Sequence, residues 1–341
     1  MKRIAWIDYA KGLCIVLVVM LYATGLVERS AGSEGWLNHV VAFAKPFRMP
    51  DFFLISGLLL PLAIQRDWRT YLDRKVLHFA YFYALWLTIL VAFEARWIAA
   101  ESGWSGVGAL YLKSFVHPHS MLWFIYLLPL FFAVTKLVQR APPLLVWLLA
   151  AALQIAELAT GIKVLDKFAM YYVYFYTGYA LAPQVFRFAD AVRSRPLLAL
   201  AGLCLWGLLD AYLVLSGLAE LPGLVLALAL LGAAAVVALS ALLAGTRLAA
   251  PLAYCGRNSI VIYLAFLIPM TVTHKLLRVT GWIEDLGWMA LFATAGGIAG
   301  ALLMRWVVEG TRLRFLFERP GGFSLSRHAI TPARESYAVR R

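Results

Sequence analysis

Ionisable side chains interrupt the apolar stretches of this chain mainly in its first third. Asp8 and Lys11 precede a long apolar run, and Tyr22 follows eleven residues after Lys11. On a helix that spacing amounts to about three turns, or ~16 Å along the axis. A carboxylate, an ammonium and a phenol on one helix could orient a substrate, stabilise charge or exchange a proton. The alternative for Asp8 and Lys11 is an interfacial pair that only fixes the orientation of the helix.

A second polar group lies at the next apolar run. Arg48 and Asp51 are three residues apart and could pair on one helix face, and Ser56 follows within the run. Such residues could orient a substrate. The alternative is an ion pair that is already satisfied within the protein.

A dense basic segment follows over residues 66–75. Arginine clusters suit phosphate groups, because each guanidinium can donate two parallel hydrogen bonds. The alternative is a marker of the cytoplasmic membrane surface, where lysine and arginine are enriched. The basic residues in question are Arg66, Arg69, Arg74 and Lys75.

Metal binding is not predicted. His117 and His119 are two residues apart, but nothing nearby supplies clear third and fourth ligands, so interfacial histidines are the preferred interpretation. The three cysteines lie in or beside apolar runs without metal-ligand or redox spacing, which is typical of small apolar side chains in helices. They are Cys14, Cys204 and Cys255.

Composition decides the solvent that surrounds these residues. Of the 341 residues 63% are hydrophobic and only 14% are charged, and the mean hydropathy is +0.79. A soluble domain carries about 25% charged residues, so most of this chain must face lipid. The net charge of +13 does not indicate nucleic acid, because the basic residues are scattered between apolar runs. The sequence therefore predicts an all-α, polytopic integral membrane protein.

Ten segments are apolar enough to be candidate spans. With the N-terminus inside, 21 lysines and arginines fall on the cytoplasmic side and 9 on the outer side, while Arg305 lies within the last span. Both termini are therefore predicted to be cytoplasmic, and the first span is predicted to remain uncleaved. The predicted spans are 12–28, 46–64, 77–98, 120–138, 143–160, 169–186, 197–216, 222–244, 256–273 and 286–307.

The domain organisation follows from these spans. Residues 1–308 are predicted to form one transmembrane domain, and the longest outer loop, residues 99–119, is too short for a domain of its own. Residues 309–341 are predicted to be a basic cytoplasmic tail that is partly disordered. Any chemistry must therefore take place among the helices.

Four motifs in chain order resemble the membrane-bound acyltransferase family 3, especially its sugar O-acetylase branch related to fucose 4-O-acetylase. The resemblance covers most of the chain. Each motif is weak alone, but the four together on ten predicted spans are specific. They are residues 6–12 (WIDYAKG), 50–57 (PDFFLISG), 122–125 (LWFI) and 256–264 (GRNSIVIYL).

This resemblance implies transfer of an acyl group, commonly acetyl, from acyl-CoA to a hydroxyl of a sugar, polysaccharide or lipid-linked glycan. It implies acetyl-CoA as a donor substrate with no permanently bound cofactor, and a multi-pass location in a bacterial inner membrane. The lipid bilayer and envelope-polysaccharide assembly proteins are the expected partners, and nucleic acid is not. On this hypothesis we expect catalytic roles for Asp8, Lys11 and Tyr22, and roles in acyl-CoA or substrate binding for Arg48, Asp51, Ser56, Arg66, Arg69, Arg74, Lys75, His78 and Trp123.

The chain departs from the family pattern at two places. Lys11 stands where the family has an arginine, and Tyr22 stands where it has the histidine regarded as catalytic. A phenol with a pKa near 10 is ionised only about one part in a thousand at neutral pH, and loss of a general base costs about 10²- to 10⁴-fold in rate. The family's Arg-x-x-Arg motif falls at Lys75 and His78 by position, although residues 66–69 match it literally.

These departures leave two functions open. The first is an active acyltransferase, in which Tyr22 is activated by neighbouring charge or positions groups by hydrogen bonding, or in which His119 or His274 replaces the missing histidine. The second is a catalytically impaired protein of the same fold that binds or moves a glycan or lipid-linked sugar. A secondary transporter is disfavoured because no inverted repeat or pair of broken helices is evident. The sequence does not identify the acceptor, the acyl chain or the oligomeric state.

Overall fold

The computed structural model describes residues 4–247 and 249–323. All regular secondary structure in these residues is helical, and none of them lies in a β-strand. A π-helical turn at Asp73–Leu77 and several short 3-10 turns accompany the α-helices. The α-helices are α1 (Ala5–Ala31), α2 (Leu37–Phe43), α3 (Arg48–Leu58), α4 (Trp68–Leu72), α5 (His78–Lys113), α6 (Trp123–Leu137), α7 (Pro143–Ile155), α8 (Lys163–Ala180), α9 (Ala182–Ser194), α10 (Pro196–Leu215), α11 (Leu224–Leu243), α12 (Ala250–Arg257), α13 (Ser259–Ala265), α14 (Leu267–Thr280) and α15 (Leu286–Val308).

The helices confirm a polytopic membrane protein. Within the described residues, six helical segments are long and apolar enough to cross a bilayer, and α13 with α14 makes a seventh if the bent pair is one span. Each of the ten predicted spans coincides at least in part with a helix or a broken helix. The predicted all-α membrane fold is therefore confirmed, whereas the count of ten and the cytoplasmic position of both termini stay predictions.

Residue type and proline placement explain where the helices form. α11 consists of Leu, Ala, Val, Gly and Ser, and leucine and alanine are strong helix formers. Several helices carry a proline in their first two positions, where the missing N–H needs no partner. These prolines are Pro143, Pro183, Pro196 and Pro251.

Most of residues 99–119, which were predicted to connect two spans on the outer side, is helical. α5 continues to Lys113, and its backbone departs from helical geometry at Gly103, where φ is 71°. Glycine adopts this left-handed conformation at little steric cost. The serine and glycine residues around this point resemble a loop in sequence, and at Gly103 they interrupt the helical backbone between two helical stretches.

The second and ninth predicted spans are broken. α3 covers only Arg48–Leu58 of the predicted span 46–64, and α2 precedes it as a separate helix. α13 and α14 meet at Phe266 and are bent by 58°. The bend at Phe266 lies in a continuous apolar run and was not predicted, whereas the break before Arg48 coincides with Lys45 and Pro46.

The chain forms two compact units. Among the described residues, the first unit comprises 4–58 and 177–309 without residue 248, and the second comprises 59–176 and 310–323. The segment that follows α15 therefore belongs to the second unit. Residues 324–341 of the predicted tail lie outside the described residues.

In the first unit, α1 packs closely against α12, and glycines at their crossing permit the approach. A Cβ atom added at Gly256 would lie 1.7 Å from the carbonyl oxygen of Asp8 and 2.8 Å from the backbone nitrogen of Gly12. One added at Gly12 would lie 2.0 Å from the carbonyl oxygen of Leu252. Small residues at such crossings are typical of membrane helices, where close backbone packing drives association. Both glycines belong to the motifs described above, so these motifs have a packing role.

In the second unit, aromatic side chains fill the space between α5, α6 and α8. Phe131 lies against Phe168, Tyr172 and Phe175, with ring centroids 5.3 to 5.5 Å apart. The hydroxyl of Tyr71 donates to the carbonyl oxygen of Phe132 over 2.8 Å, which ties α4 to α6. This bond gives the buried hydroxyl of Tyr71 the partner that a buried polar group requires.

Replacing Gly256 with alanine should destabilise the protein, because the new methyl group meets backbone atoms that cannot move aside. Overpacking of this kind costs about 1–3 kcal/mol. The thermal unfolding midpoint of the detergent-purified protein measures the effect. Gly202→Ala in α10 is the matched control, since a Cβ there meets nothing within 4 Å. Equal midpoints for the two variants would show that the crossing does not depend on a glycine.

Candidate functional site

The three polar residues near the N-terminus lie on one unbroken helix, α1. Asp8 is buried, and Lys11 and Tyr22 are each partly buried. Eleven residues correspond to about three helical turns, so Lys11 and Tyr22 project from the same side of α1. The helix therefore aligns an ammonium group and a phenol along its length.

Tyr22 lies against the bend in the broken helix. Its ring centroid is 5.5 Å from that of Phe266, the residue between α13 and α14. Irregular backbone at membrane depth is tolerated where it is buried in protein or lines a cavity. The position that the family resemblance marks as catalytic thus adjoins an irregular part of the membrane fold.

Asp51 carries a deeply buried carboxylate. It is only 1% exposed, and neither of its oxygens has a partner among the described residues. Its helix, α3, packs against α1. A buried polar group of this kind is costly unless something donates to it, so Asp51 is a candidate for binding a hydroxyl donor.

Arg48 does not satisfy Asp51. Its Nη1 donates instead to the carbonyl oxygen of Val41, 3.3 Å away, in the preceding helix α2. The satisfied Arg48–Asp51 pair considered from the spacing is therefore wrong. Ser56 donates to the carbonyl oxygen of Phe52 one turn earlier, over 2.7 Å. Its proton is used within α3, which is a common role for serine in a membrane helix.

A polar pair that the sequence analysis missed joins α15 to the start of α13. Arg305 donates from Nη1 to Oδ1 of Asn258, the residue between α12 and α13. Arginine inside a span is expected to find such a partner. The charge of Arg305 and the motif around Asn258 were both visible in the sequence. Their pairing across 47 positions was not.

The two candidate replacement histidines each have another polar side chain as a neighbour. Nε2 of His274 is 3.1 Å from Oγ of Ser30, which is eight residues beyond Tyr22 on α1, or ~12 Å along the axis. His119 belongs to the second unit, where its Nε2 lies 2.8 Å from a carboxylate oxygen of Glu94. No group of three metal-ligating side chains is found among the described residues.

The basic segment of the second unit presents its arginines to the surface. Its two carboxylates are engaged within the protein. Asp67 accepts a hydrogen bond from the backbone N–H of Thr70 over 2.9 Å, and this bond lowers the pKa of Asp67. Asp73 forms an ion pair with Arg319. The segment therefore keeps a positive surface, and its exposed side chains are Arg66, Arg69 and Arg74.

Lys75 and His78 face a different environment from those arginines. Both are partly buried. Nζ of Lys75 is 5.0 Å from the ring centroid of Phe132, and the His78 ring is 5.0 Å from that of Phe82. Lys75 also belongs to the π-helical turn, a rare geometry that occurs frequently at functional sites. The two versions of the family's basic motif thus differ in position, one at the surface and the other against aromatic rings.

Lys136 is a second residue that sequence reasoning missed. It was counted as a surface charge, but it is buried, and its ammonium donates to the carbonyl oxygens of Ile64 and Arg66. It also lies 5.5 Å from the ring centroid of Trp68 and 5.4 Å from that of Tyr71. Lys136 therefore holds the turn from which the basic segment begins.

Trp123 is engaged by two neighbours in the second unit. Its ring is stacked on Tyr171 with centroids 5.3 Å apart, and Nζ of Lys167 is 4.2 Å from its centroid. A cation over a tryptophan face is attracted by the ring quadrupole. The ammonium group of Lys167 thus lies close to the Trp123 ring, and an anionic or hydroxyl-rich group could bind there.

Two known proteins are similar in sequence to parts of this chain. The chain is 30% identical over 211 residues to nodulation protein NolL of Sinorhizobium fredii (strain NBRC 101917 / NGR234). It is 26% identical over 156 residues to inner membrane protein YcfT of Escherichia coli (strain K12). The matched regions cover 59% and 40% of this chain and 57% and 44% of those proteins, so the chain spans about half the length of each relative.

No solved structure matches the chain. The family model described as an acyltransferase domain, in contrast, matches residues 4–306, and these include α1 with Tyr22, α3 with Asp51 and the whole basic segment. The family model therefore covers most of the described residues. The chain belongs to acyltransferase family 3, as its four motifs indicated.

Proposed function

We propose that this protein transfers an acyl group, most simply acetyl, from acyl-CoA to a hydroxyl of a sugar, polysaccharide or lipid-linked glycan. The observation that carries the proposal is the match to the acyltransferase domain over residues 4–306. The similarity to an inner membrane protein of Escherichia coli supports a location in a bacterial inner membrane. Envelope-polysaccharide assembly proteins are the proposed partners, and nucleic acid is not.

The basic segment supports acetyl-CoA as the donor. Its exposed guanidinium groups can each bind a phosphate oxygen pair, and CoA carries several phosphates. The neighbouring carboxylates do not compete, since Asp67 caps α4 and Asp73 is paired with Arg319. CoA enters and leaves as a substrate, so no permanently bound cofactor is part of the proposal.

The first unit supplies groups for the acceptor. Asp51 can accept a hydrogen bond from a sugar hydroxyl, because both of its oxygens lack a partner within the described protein. In the proposed reaction that hydroxyl oxygen bonds to the thioester carbonyl carbon while the carbon–sulfur bond breaks. The hydroxyl proton ends on the CoA thiol. Lys11 stabilises negative charge, and Tyr22 positions groups by hydrogen bonding.

A second candidate function is binding or movement of a glycan without chemistry. Tyr22 favours it, because the phenol packs on Phe266 at the position where the family has a histidine. Loss of a positioned general base costs about 10²- to 10⁴-fold in rate. A protein without that base could still bind the acceptor and no longer transfer the acyl group.

Tyr22 should be required for transfer. We expect acetyl transfer from labelled acetyl-CoA in membranes that contain the native chain, and a fall of roughly 100-fold in Tyr22→Phe, which has lost the hydroxyl. Tyr22→His should transfer faster than the native chain, because imidazole is a better base at neutral pH. An inactive native chain with an active Tyr22→His variant would support the second function instead. Absence of transfer by all three would contradict the enzyme proposal.

Asp51→Asn should separate activity from stability. The amide keeps the shape, but it removes an acceptor for a charge-assisted bond worth about 1.5–3 kcal/mol, so transfer should fall about ten- to hundred-fold. The thermal midpoint should stay or rise, because a costly buried carboxylate is removed. Asp210→Asn in α10 is the matched control: Asp210 is 0% exposed and its carboxylate also has no partner among the described residues, yet it lies outside the predicted site. Equal transfer by both variants would exclude Asp51 from the site.

A further inference from the structure

The segment that follows the last helix is bound to the second unit by main-chain contacts. The hydroxyl of Tyr81 donates to the carbonyl oxygen of Phe315 over 3.0 Å. Nε1 of Trp86 donates to that of Leu316, also over 3.0 Å, and the Trp86 ring lies 5.6 Å from that of Phe317. Residues 310–323 are therefore a packed part of the second unit, although the sequence predicted a tail there.

An ion pair joins this segment to the basic segment. Nη2 of Arg319 lies 3.0 Å from Oδ2 of Asp73, and Nη1 donates to the main-chain oxygen of the same residue over 2.8 Å. The two side chains are only 12% and 3% exposed. One guanidinium thus holds both the carboxylate and the backbone of Asp73, the first residue of the π-helical turn.

Stability alone is a weak explanation for this pair. The cost of desolvating two charges is often as large as their attraction, and apolar residues of similar size serve as well or better. The segment already has the aromatic contacts of Tyr81 and Trp86 as anchors. The additional effect of Arg319 is specific: it fixes the backbone of the π-helical turn and compensates the negative charge of Asp73.

Both effects act on the residues proposed to bind the donor. Arg74 and Lys75 directly follow Asp73 in the π-helical turn, so the backbone that Arg319 holds sets where their side chains begin. An uncompensated carboxylate at Asp73 would also repel an anionic ligand at its neighbours. A rigid turn with its negative charge compensated is the arrangement that phosphate binding requires.

We infer that Arg319 is a positioning residue for the donor, and that residues 310–323 complete the acyl-CoA site by fixing the π-helical turn. The inference rests on the proposed function, since it concerns the donor of that reaction. Arg319 acts through Asp73 and not by contact with the reacting atoms. Its effect therefore belongs to the affinity for CoA and not to the chemical step.

Binding of CoA to the full-length, detergent-purified protein tests the inference. In Arg319→Gln the dissociation constant for CoA should rise about ten-fold, which corresponds to 1.4 kcal/mol. The KM for acetyl-CoA should rise in parallel, while kcat at saturating acetyl-CoA stays within about two-fold. Arg319→Lys keeps the charge but loses the bidentate fork, so it should have an intermediate affinity.

Arg314→Gln is the matched control in the same segment. Arg314 also forms an ion pair, with Glu318 at 3.9 Å, but both side chains are about 70% exposed. Exposed pairs of this kind contribute little, so this variant should bind CoA like the native protein. If CoA binding depended only on the overall positive charge of residues 310–323, both variants would bind CoA more weakly.

The outcomes separate this inference from the proposed function. A native protein that does not bind CoA would overturn the donor assignment and this inference with it. A native protein that binds CoA, together with a folded Arg319→Gln variant that binds it equally well, would overturn only the inference. Should Arg319→Gln not fold, Arg319→Lys decides: native affinity for CoA in that variant overturns the role of Arg319, and a several-fold loss supports it.

Discussion

Direct backbone contact between α1 and α12 is the constraint on which the first unit depends. Because no side chain separates the helices at Gly12 and Gly256, the rotation of α1 about its axis is fixed, and so are the directions of Lys11 and Tyr22. Lipid provides no hydrophobic force between helices, so such contacts and buried polar pairs must hold them together. Asn258, two residues after Gly256, forms such a polar pair with Arg305, which is partly buried.

The two units use their buried charges differently. In the second unit Lys136 and Asp73 both have partners, and these partners hold the turns on either side of the exposed arginines. In the first unit Asp51 and Asp210 are buried without hydrogen-bond partners among the described residues. A structural role explains the first group fully. It does not explain Asp51, which belongs to the predicted site, and a costly unsatisfied group is expected where a protein binds its substrate.

Much of the fold could be predicted from the sequence, because apolar runs of about 20 residues correspond to membrane helices. The bend at Phe266 could not, since the chain is equally apolar on both sides of it, whereas the break before Arg48 coincides with Lys45 and Pro46. The basic residues were interpreted by position along the chain. That reasoning cannot distinguish a lysine at the interface from Lys136, which is buried against carbonyl groups. Nor can it pair Arg319 with Asp73, which are 246 residues apart.

The tyrosine at position 22 does not by itself decide between catalysis and binding. Enzymes accelerate reactions by about 10⁶-fold or more, whereas a missing general base accounts for about 10²- to 10⁴-fold of that. A scaffold that still positions donor and acceptor and stabilises charge can therefore retain measurable transfer, as enzymes stripped of their catalytic base do. The bound geometry matters more than the single base, and α1 fixes that geometry through its glycine contact with α12. For this reason the substitution at Tyr22 is compatible with an enzyme whose rate depends mainly on positioning.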